Sequence, residues 1–344
     1  MAFSVEEIQE LGLGQLTSAE LAEAFEAFNG FASLLGRDWL ESFFRGMQSA
    51  RFVRSIIVLW RDWRAISCLP KAERLLDRWR VGLNEGGVAT EVRVFARVLR
   101  TGAEIELFPA ANNHVQDCRF RTGPSSPWIY VEASARGLSQ VLEYGLQVLQ
   151  RVATAAADTE PRMHGKVAIL RTPSPEEADR IVAWLRGYPK TGNRLEDLAE
   201  FYTDTIESAS SPDDFLERRV PKPALNCAHI VSSESLKKKG TARLAITDAG
   251  ADNALKAEAA QLPDDEVGVV VLDVSRVVGG HQEWAPLIQR RFQPSLHTRV
   301  SAVVLMQSSL TANGPAVTGQ VLLNAYAKRP IPMDVFPVLE SLIR

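Results

Sequence analysis

The sequence predicts an α/β fold in two parts: an all-helical N-terminal subdomain, residues 1–83, and an α/β domain, residues 84–344. Three observations predict it. Through the first 82 residues the apolar side chains recur at spacings of three and four, the period of a helix. Beyond them, short β-branched runs alternate with amphipathic stretches, the pattern of a sheet flanked by helices. The run VGVVVLDV is apolar almost throughout, as a strand buried on both faces reads.

The first helix with a clear stripe starts at a cap, Ser18, and carries Leu21, Ala24, Phe25 and Phe28 on one side. RDWLESFFRGM and SIIVLWRDWRAISCL continue the helical pattern, and KAERLLDRWRVGL follows Pro70. Trp39, Trp60, Trp63 and Trp79 lie on these stripes and read as core anchors. With Arg61, Arg64, Arg78 and Arg80 between them, a base-stacking surface is the competing reading. The loop at 84–87, NEGG, marks the boundary. VATEVRVFARVLRTG then reads as a helix, with Thr90 a cap near its start and Gly102 near its stop. AEIELFP, HVQDCRF and WIYVEAS read as three strands separated by turn residues, LSQVLEYGLQVLQRVATAAA as a long helix and GKVAILRTP as a further strand. SPEEADRIVAWLRG and RLEDLAEFYTDTI read as helices, ALNCAHIVSS and ARLAITD as strands, and ADNALKAEAAQL as a helix before VGVVVLDV. EWAPLIQRRF reads as a helix, and VSAVVLMQSS and VTGQVLLNAYA close the chain as strands.

The net charge of −3 and a composition of 46% hydrophobic and 24% charged residues are those of an ordinary globular protein, with no global signature of nucleic-acid or membrane binding. Charge is unevenly spread: residues 1–36 hold six Glu and no Lys or Arg, whereas residues 37–100 hold thirteen Lys/Arg against seven Asp/Glu. Three scattered cysteines predict neither a disulfide framework nor a zinc site, and so a reducing, cytoplasmic setting. No apolar run is long enough for a membrane span. The five histidines lack metal-ligand spacing, and no serine sits in a nucleophile-elbow context. Lys237, Lys238 and Lys239 read as a solvated turn rather than a phosphate contact, and Asp273 as the cap of the segment after its strand.

Carboxylates carry the functional signal. Glu91, Phe95 and Val98 fall at i, i+4 and i+7, so Glu91 belongs to a stripe that turns inward. Trp128, Tyr130, Glu132 and Ser134 share one face of their strand, and Val115, Asp117 and Arg119 share one face of theirs. Asp117 and Glu132 can therefore lie side by side, and a Glu inside a strand as apolar as WIYVEA is costly unless paired or bound to a metal. The bland alternatives are ion pairs: Asp117 with Arg119 or Arg121, Glu132 with a neighbouring Arg, and Glu91 merely favouring a helix start.

The order helix, three strands, helix, strand over residues 86–172, with Glu91 on the helix, Asp117 at the second strand and Glu132-x-Ser134 on the third, resembles the PD-(D/E)XK, or restriction-endonuclease-like, superfamily. The resemblance implies a mixed sheet flanked by helices, with residues 173–344 as a C-terminal α/β extension. It also implies that Asp117 and Glu132 hold Mg²⁺ or Mn²⁺, that Glu91 assists, and that nucleic acid is the partner. The family places a Lys where this chain has Ser134, which carries no charge. Arg119, Arg136 or Lys166 are the candidates to replace it, and Arg119 shares the face of Asp117. An Arg holds its proton too firmly to act as a base, so it would only stabilise charge. The function implied is that of an atypical or degenerate member, binding nucleic acid or a partner protein, with or without metal-dependent phosphodiesterase activity. Two alternatives stand beside it: a non-catalytic protein-interaction or scaffold module acting through the helices of residues 20–80, and a small-molecule site around Asp273 and Asn324.

Overall fold

The computed structural model describes residues 2–44, 49–81, 85–111, 114–136, 151, 164–169, 173–187, 193–204, 228–232, 240–244, 248–277, 280–311 and 314–344. Its helices are α1 (Val5–Leu11), α2 (Ser18–Leu35), α3 (Arg37–Phe44), α4 (Ala50–Ile66), α5 (Glu73–Arg80) and α6 (Glu85–Arg100), then α7 (Pro175–Arg186), α8 (Asp248–Ala259), α9 (Gly280–Gln289) and α10 (Phe336–Ser341). The strands of the first half are β1 (Glu104–Leu107), β2 (Ala110–Ala111), β3 (His114–Val115), β4 (Cys118–Arg121) and β5 (Ile129–Ala135). They are followed by β6 (His164–Ile169), β7 (Arg194–Leu195), β8 (Ala199–Asp204), β9 (Ala228–Ser232), β10 (Gly240–Leu244), β11 (Val267–Asp273), β12 (Val300–Thr311) and β13 (Gly314–Leu323).

The chain forms two compact units, and they differ from the predicted division at residue 83. Residues 1–137 and 251–344 make the first, residues 138–250 the second. The N-terminal helices belong with the first sheet because their stripes share its core. Phe28 and Phe31 of α2, Ile56 of α4, Trp79 of α5 and Phe95 of α6 are buried in one cluster with Val131 of β5, Val271 of β11 and Val304 of β12. Trp79 sits at its centre, with the rings of Phe31, Trp39 and Trp63 within 5.9 to 6.1 Å. The tryptophans therefore pack against one another, while Arg61 and Arg64 pair with Glu23 and Glu26. That arrangement leaves the helical tryptophans in the core role, since ring faces engaged by other rings present no surface for bases.

The cap of α2 is Thr17, one residue before the predicted Ser18. Thr17 accepts the backbone N–H of Glu20, and Glu20 accepts the backbone N–H of Thr17 in return, a reciprocal capping box. Thr17→Ala is expected to lower unfolding stability by about 1 kcal/mol in urea titration; no change would mean that Arg54, which also holds Glu20, secures the turn alone.

The first unit holds a six-stranded mixed sheet in the order β1-β4-β5-β11-β12-β13. β1, β4 and β5 run antiparallel in sequence, β11 lies parallel to both β5 and β12, and β13 returns antiparallel to β12. All seven residues of β11 are buried, as its unbroken apolar run predicts. The strand at 164–172 was expected as the next member of this sheet. It is β6 of the second unit, in a sheet ordered β10-β9-β6-β8-β7, and β11 takes the place beside β5.

Three local expectations are corrected. Residues 85–87 are helical, so α6 starts inside NEGG; the glycine cost of roughly 1 kcal/mol each is outweighed by burying Val88, Val92 and Phe95. Thr90 is consequently inside α6 rather than its cap, and its hydroxyl donates to Asp273 at 3.0 Å. RLEDLAEFYTDTI contains β7 and β8 instead of a helix, because Phe201, Tyr202 and Thr203 favour a strand that β6 is available to pair. The long helix expected at 139–158 and the lysines 237–239 lie outside the described residues, apart from Arg151. Among the described residues no helix is long and apolar enough to cross a membrane.

Candidate active site

The site forms where β4 gives out beside β5. The ladder pairs Cys118 with Val131, so the next step sets Asp117 across from Glu132. There the strand ends: HVQDCRF is divided into β3 and β4, and Asp117 falls between them. Ala133 consequently lacks a main-chain partner on that side, and its N–H donates to the Asp117 side chain at 2.8 Å. Phe108 fixes the same residue from behind, donating its N–H to the Asp117 carbonyl at 3.0 Å. The two carboxyl groups are close enough to shift each other's proton affinity.

Two more acids approach them from the flanking helices. The stripe of α6 turns Glu91 inward with Phe95 and Val98, leaving it 2% exposed. Arg78 of α5 grips it with two hydrogen bonds of 2.5 and 2.7 Å, a bidentate pair. From α8 comes Glu258, paired with Arg136, which also donates to the Ala254 carbonyl at 3.3 Å. Four carboxyl groups thus share two guanidinium groups.

That shortage of positive charge sets their proton affinities. Burial first, then the Asp117 charge, pushes Glu132 up to about 10. The same two causes raise Glu91 to about 8, with Arg78 opposing them. Burial raises Asp117 to about 6, held there by the Ala133 N–H and the Arg78 charge. At neutral pH, then, Glu132 holds a proton.

A second feature lies along β5. Glu132, Ser134 and Arg136 alternate onto one face, and each carries a buried polar atom with no partner in the protein: Oε1, Oγ and Nε respectively. Each such atom costs roughly 1–3 kcal/mol unless something completes it. Three in a row beside Asp117 mark a polar track rather than an isolated defect.

Of the residues the sequence singled out, the structure brings together Glu91, Asp117, Glu132 and Ser134. Arg119 is engaged elsewhere: it pairs with Glu106 of β1 at 2.6 Å, donates to the Tyr130 hydroxyl at 3.2 Å and lies over the Trp128 ring at 4.4 Å. Lys166 stands on β6 in the second unit, registered with Tyr202 and Val231. Arg136 is the cation on the same strand face as Ser134, two residues further on. Arg78 and Glu258 are the members that sequence reasoning missed. Neither carries a local signal, since each reaches the site only through packing of its helix.

Hard oxygen donors of this kind suit Mg²⁺ or Mn²⁺, and Mg²⁺ commonly takes only one or two carboxylates, with water and phosphate completing its shell. Asp117 and Glu132 fit that requirement. Glu91 and Glu258 are held by arginines, and among the described residues no group of three or more His, Cys, Asp or Glu is arranged to hold a metal ion. Compared with protein-family models, curated proteins and solved structures, the chain gives no match.

Proposed function

We propose that the chain is a degenerate relative of the PD-(D/E)XK nucleases that binds nucleic acid through a surviving divalent-cation site. The observation that carries the reading is the row of partnerless atoms on Glu132, Ser134 and Arg136 beside Asp117. The path of the chain supports it. α6, then antiparallel β1, β4 and β5, then α8, then β11 parallel to β5 is the order helix, three strands, helix, strand, with the second unit inserted after β5.

In this reading Asp117 and Glu132 hold Mg²⁺ or Mn²⁺, which when bound polarises a phosphodiester and acidifies water. Ser134 offers a hydroxyl to a phosphate oxygen, and Arg136 stabilises negative charge without serving as a base. Arg78 keeps Glu91 in place and limits the negative charge that the pair must bear. With Ser134 where a lysine would stand, cleavage is weak or lost while binding persists.

Because Glu132 holds a proton at neutral pH, a cation must displace it, so affinity rises with pH. Calorimetric titration of Mn²⁺ at pH 6.5 and 8.5 is expected to show saturable binding that is stronger at the higher pH and lost in Glu132→Ala. Absence of binding at both values, with and without a phosphodiester oligonucleotide, would sink the metal reading. Oligonucleotide affinity is expected to fall steeply with salt; an affinity indifferent to salt would point instead to an apolar protein interface.

A further inference from the structure

The C-terminal ends of β5, β11 and β12 open onto a cavity of about 170 Å³. Asp273 stands in register with Ala135, one position out of phase with Glu132, so the two carboxyl groups leave the sheet on different faces, and Arg136, just past the end of β5, borders both. The polar wall of the cavity is made by Thr90 and Arg93 of α6, by Arg136, by Asp273, Ser275 and Arg276 at the end of β11, and by Ser308 of β12, while α4 closes one side.

An account of the hydrogens shows what the cavity offers. Asp273 is saturated. One oxygen accepts the Ser275 N–H at 2.9 Å and the Ser275 hydroxyl; the other accepts Thr90 at 3.0 Å and Arg93 at 3.3 Å. Its charge is thereby spent on fixing its neighbours. Ser308 accepts Arg93 at 2.7 Å, which leaves its own hydroxyl hydrogen to donate. Arg93 makes its bonds through one terminal nitrogen and keeps the rest of its N–H groups. Arg276 is exposed and makes no hydrogen bond or ion pair among the described residues. Arg136 is balanced by Glu258; surplus donors therefore outnumber free acceptors, and the two further guanidinium groups, Arg93 and Arg276, face one neutralised carboxylate, a local charge of +1. A ligand that suits them is an oxyanion.

We propose that this cavity binds a phosphate group. The donors come from α6, from the segment after β11 and from β12, so they surround a point rather than lie in the single plane that matches a carboxylate. A cavity of about 150 Å³ takes a molecule the size of benzene, so this one accommodates a tetrahedral anion and a few attached atoms. Sites for whole drug-sized ligands run from about 300 Å³ upward; any larger ester leaves its body outside. The position is the one where α/β sheets commonly take phosphorylated ligands, at the carboxyl ends of parallel strands. The inference rests on Arg93, Arg276 and Ser308, none of which the cation site proposed above uses.

The test is calorimetric titration of the full chain with inorganic phosphate and with ribose 5-phosphate, in the wild type, Arg276→Gln and Glu132→Ala. Saturable phosphate binding is expected, unchanged in Glu132→Ala and weakened roughly ten- to hundred-fold in Arg276→Gln, the loss of a charge-assisted contact. Tighter binding of the ester than of free phosphate assigns the site to a phosphate ester, and equal binding assigns it to the free anion. No saturable binding of either probe, equal affinity in Arg276→Gln, or displacement by acetate as effective as by sulfate overturns the proposal.

Discussion

Arg78→Ala is expected to lower the unfolding free energy by about 3 kcal/mol at pH 9, where Glu91 is ionised, the lower end of what breaking a buried ion pair costs. The lower end applies because the Arg78 side chain is 38% exposed, whereas its partner Glu91 is almost fully enclosed. Removing the guanidinium leaves a buried carboxyl that must take up a proton to remain inside. Glu91 already sits at about 8, so the mutant pushes it higher and makes that proton obligatory. The penalty should therefore grow as pH rises through about 8, where wild-type Glu91 ionises against Arg78, and shrink towards pH 6, where both folded proteins already hold the proton. Adding Glu91→Gln should recover much of the loss. Urea titrations of the two single variants and the double variant at pH 6 and 9 check this, and a cost below about 1 kcal/mol at pH 9 would show that the bidentate pair contributes no more than a surface bridge.

Glu132→Gln should do the reverse and stabilise the metal-free protein above neutrality. The folded values of Glu132, Glu91 and Asp117 all lie above their unfolded values. The folded chain therefore binds protons that the unfolded chain releases. Stability from these groups is complete below about pH 4 and falls as pH rises through 6, 8 and 10. Each raised group costs about 1.4 kcal/mol per pH unit between its two values. For Glu132 that amounts to roughly 3 kcal/mol by pH 7, or a gain of several degrees in melting temperature for the glutamine variant. Melts in chelator at pH 5, 7 and 9 should show the two proteins converging at the acid end. A wild-type melting temperature that does not decline from pH 5 to 9 would contradict the proton inventory of the cluster.

Much of this site was legible in the sequence because its signals are local. A Glu within WIYVEA, an acid on an apolar stripe and an acid at the end of a short strand are each visible within one element. β11 was equally plain, since a run from Val267 to Leu272 with no polar side chain leaves little else to be. What failed depended on distance. Arg78 and Glu258 enter through helices whose packing no single segment dictates, and Glu258 comes from 126 residues beyond Glu132. β8 was mistaken for helix because Leu198, Ala199 and Glu200 are good helix formers, and pairing with β6 decides otherwise. The division of the chain was misplaced for the same reason. NEGG is a strong local break, yet the apolar residues on either side of it complete a single core.

The insertion of residues 138–250 within the first unit has a consequence during synthesis. β5 ends at Ala135, and β11, the strand that fills its far side, begins at Val267. At roughly 5–20 residues per second the ribosome needs on the order of seven to twenty-five seconds to deliver it. Throughout that interval β5 carries an open edge, and Glu132, Ser134 and the arginines around them have only half of their surroundings. The nascent chain must keep that edge unpaired, or lent to a chaperone, until the sheet can close around it.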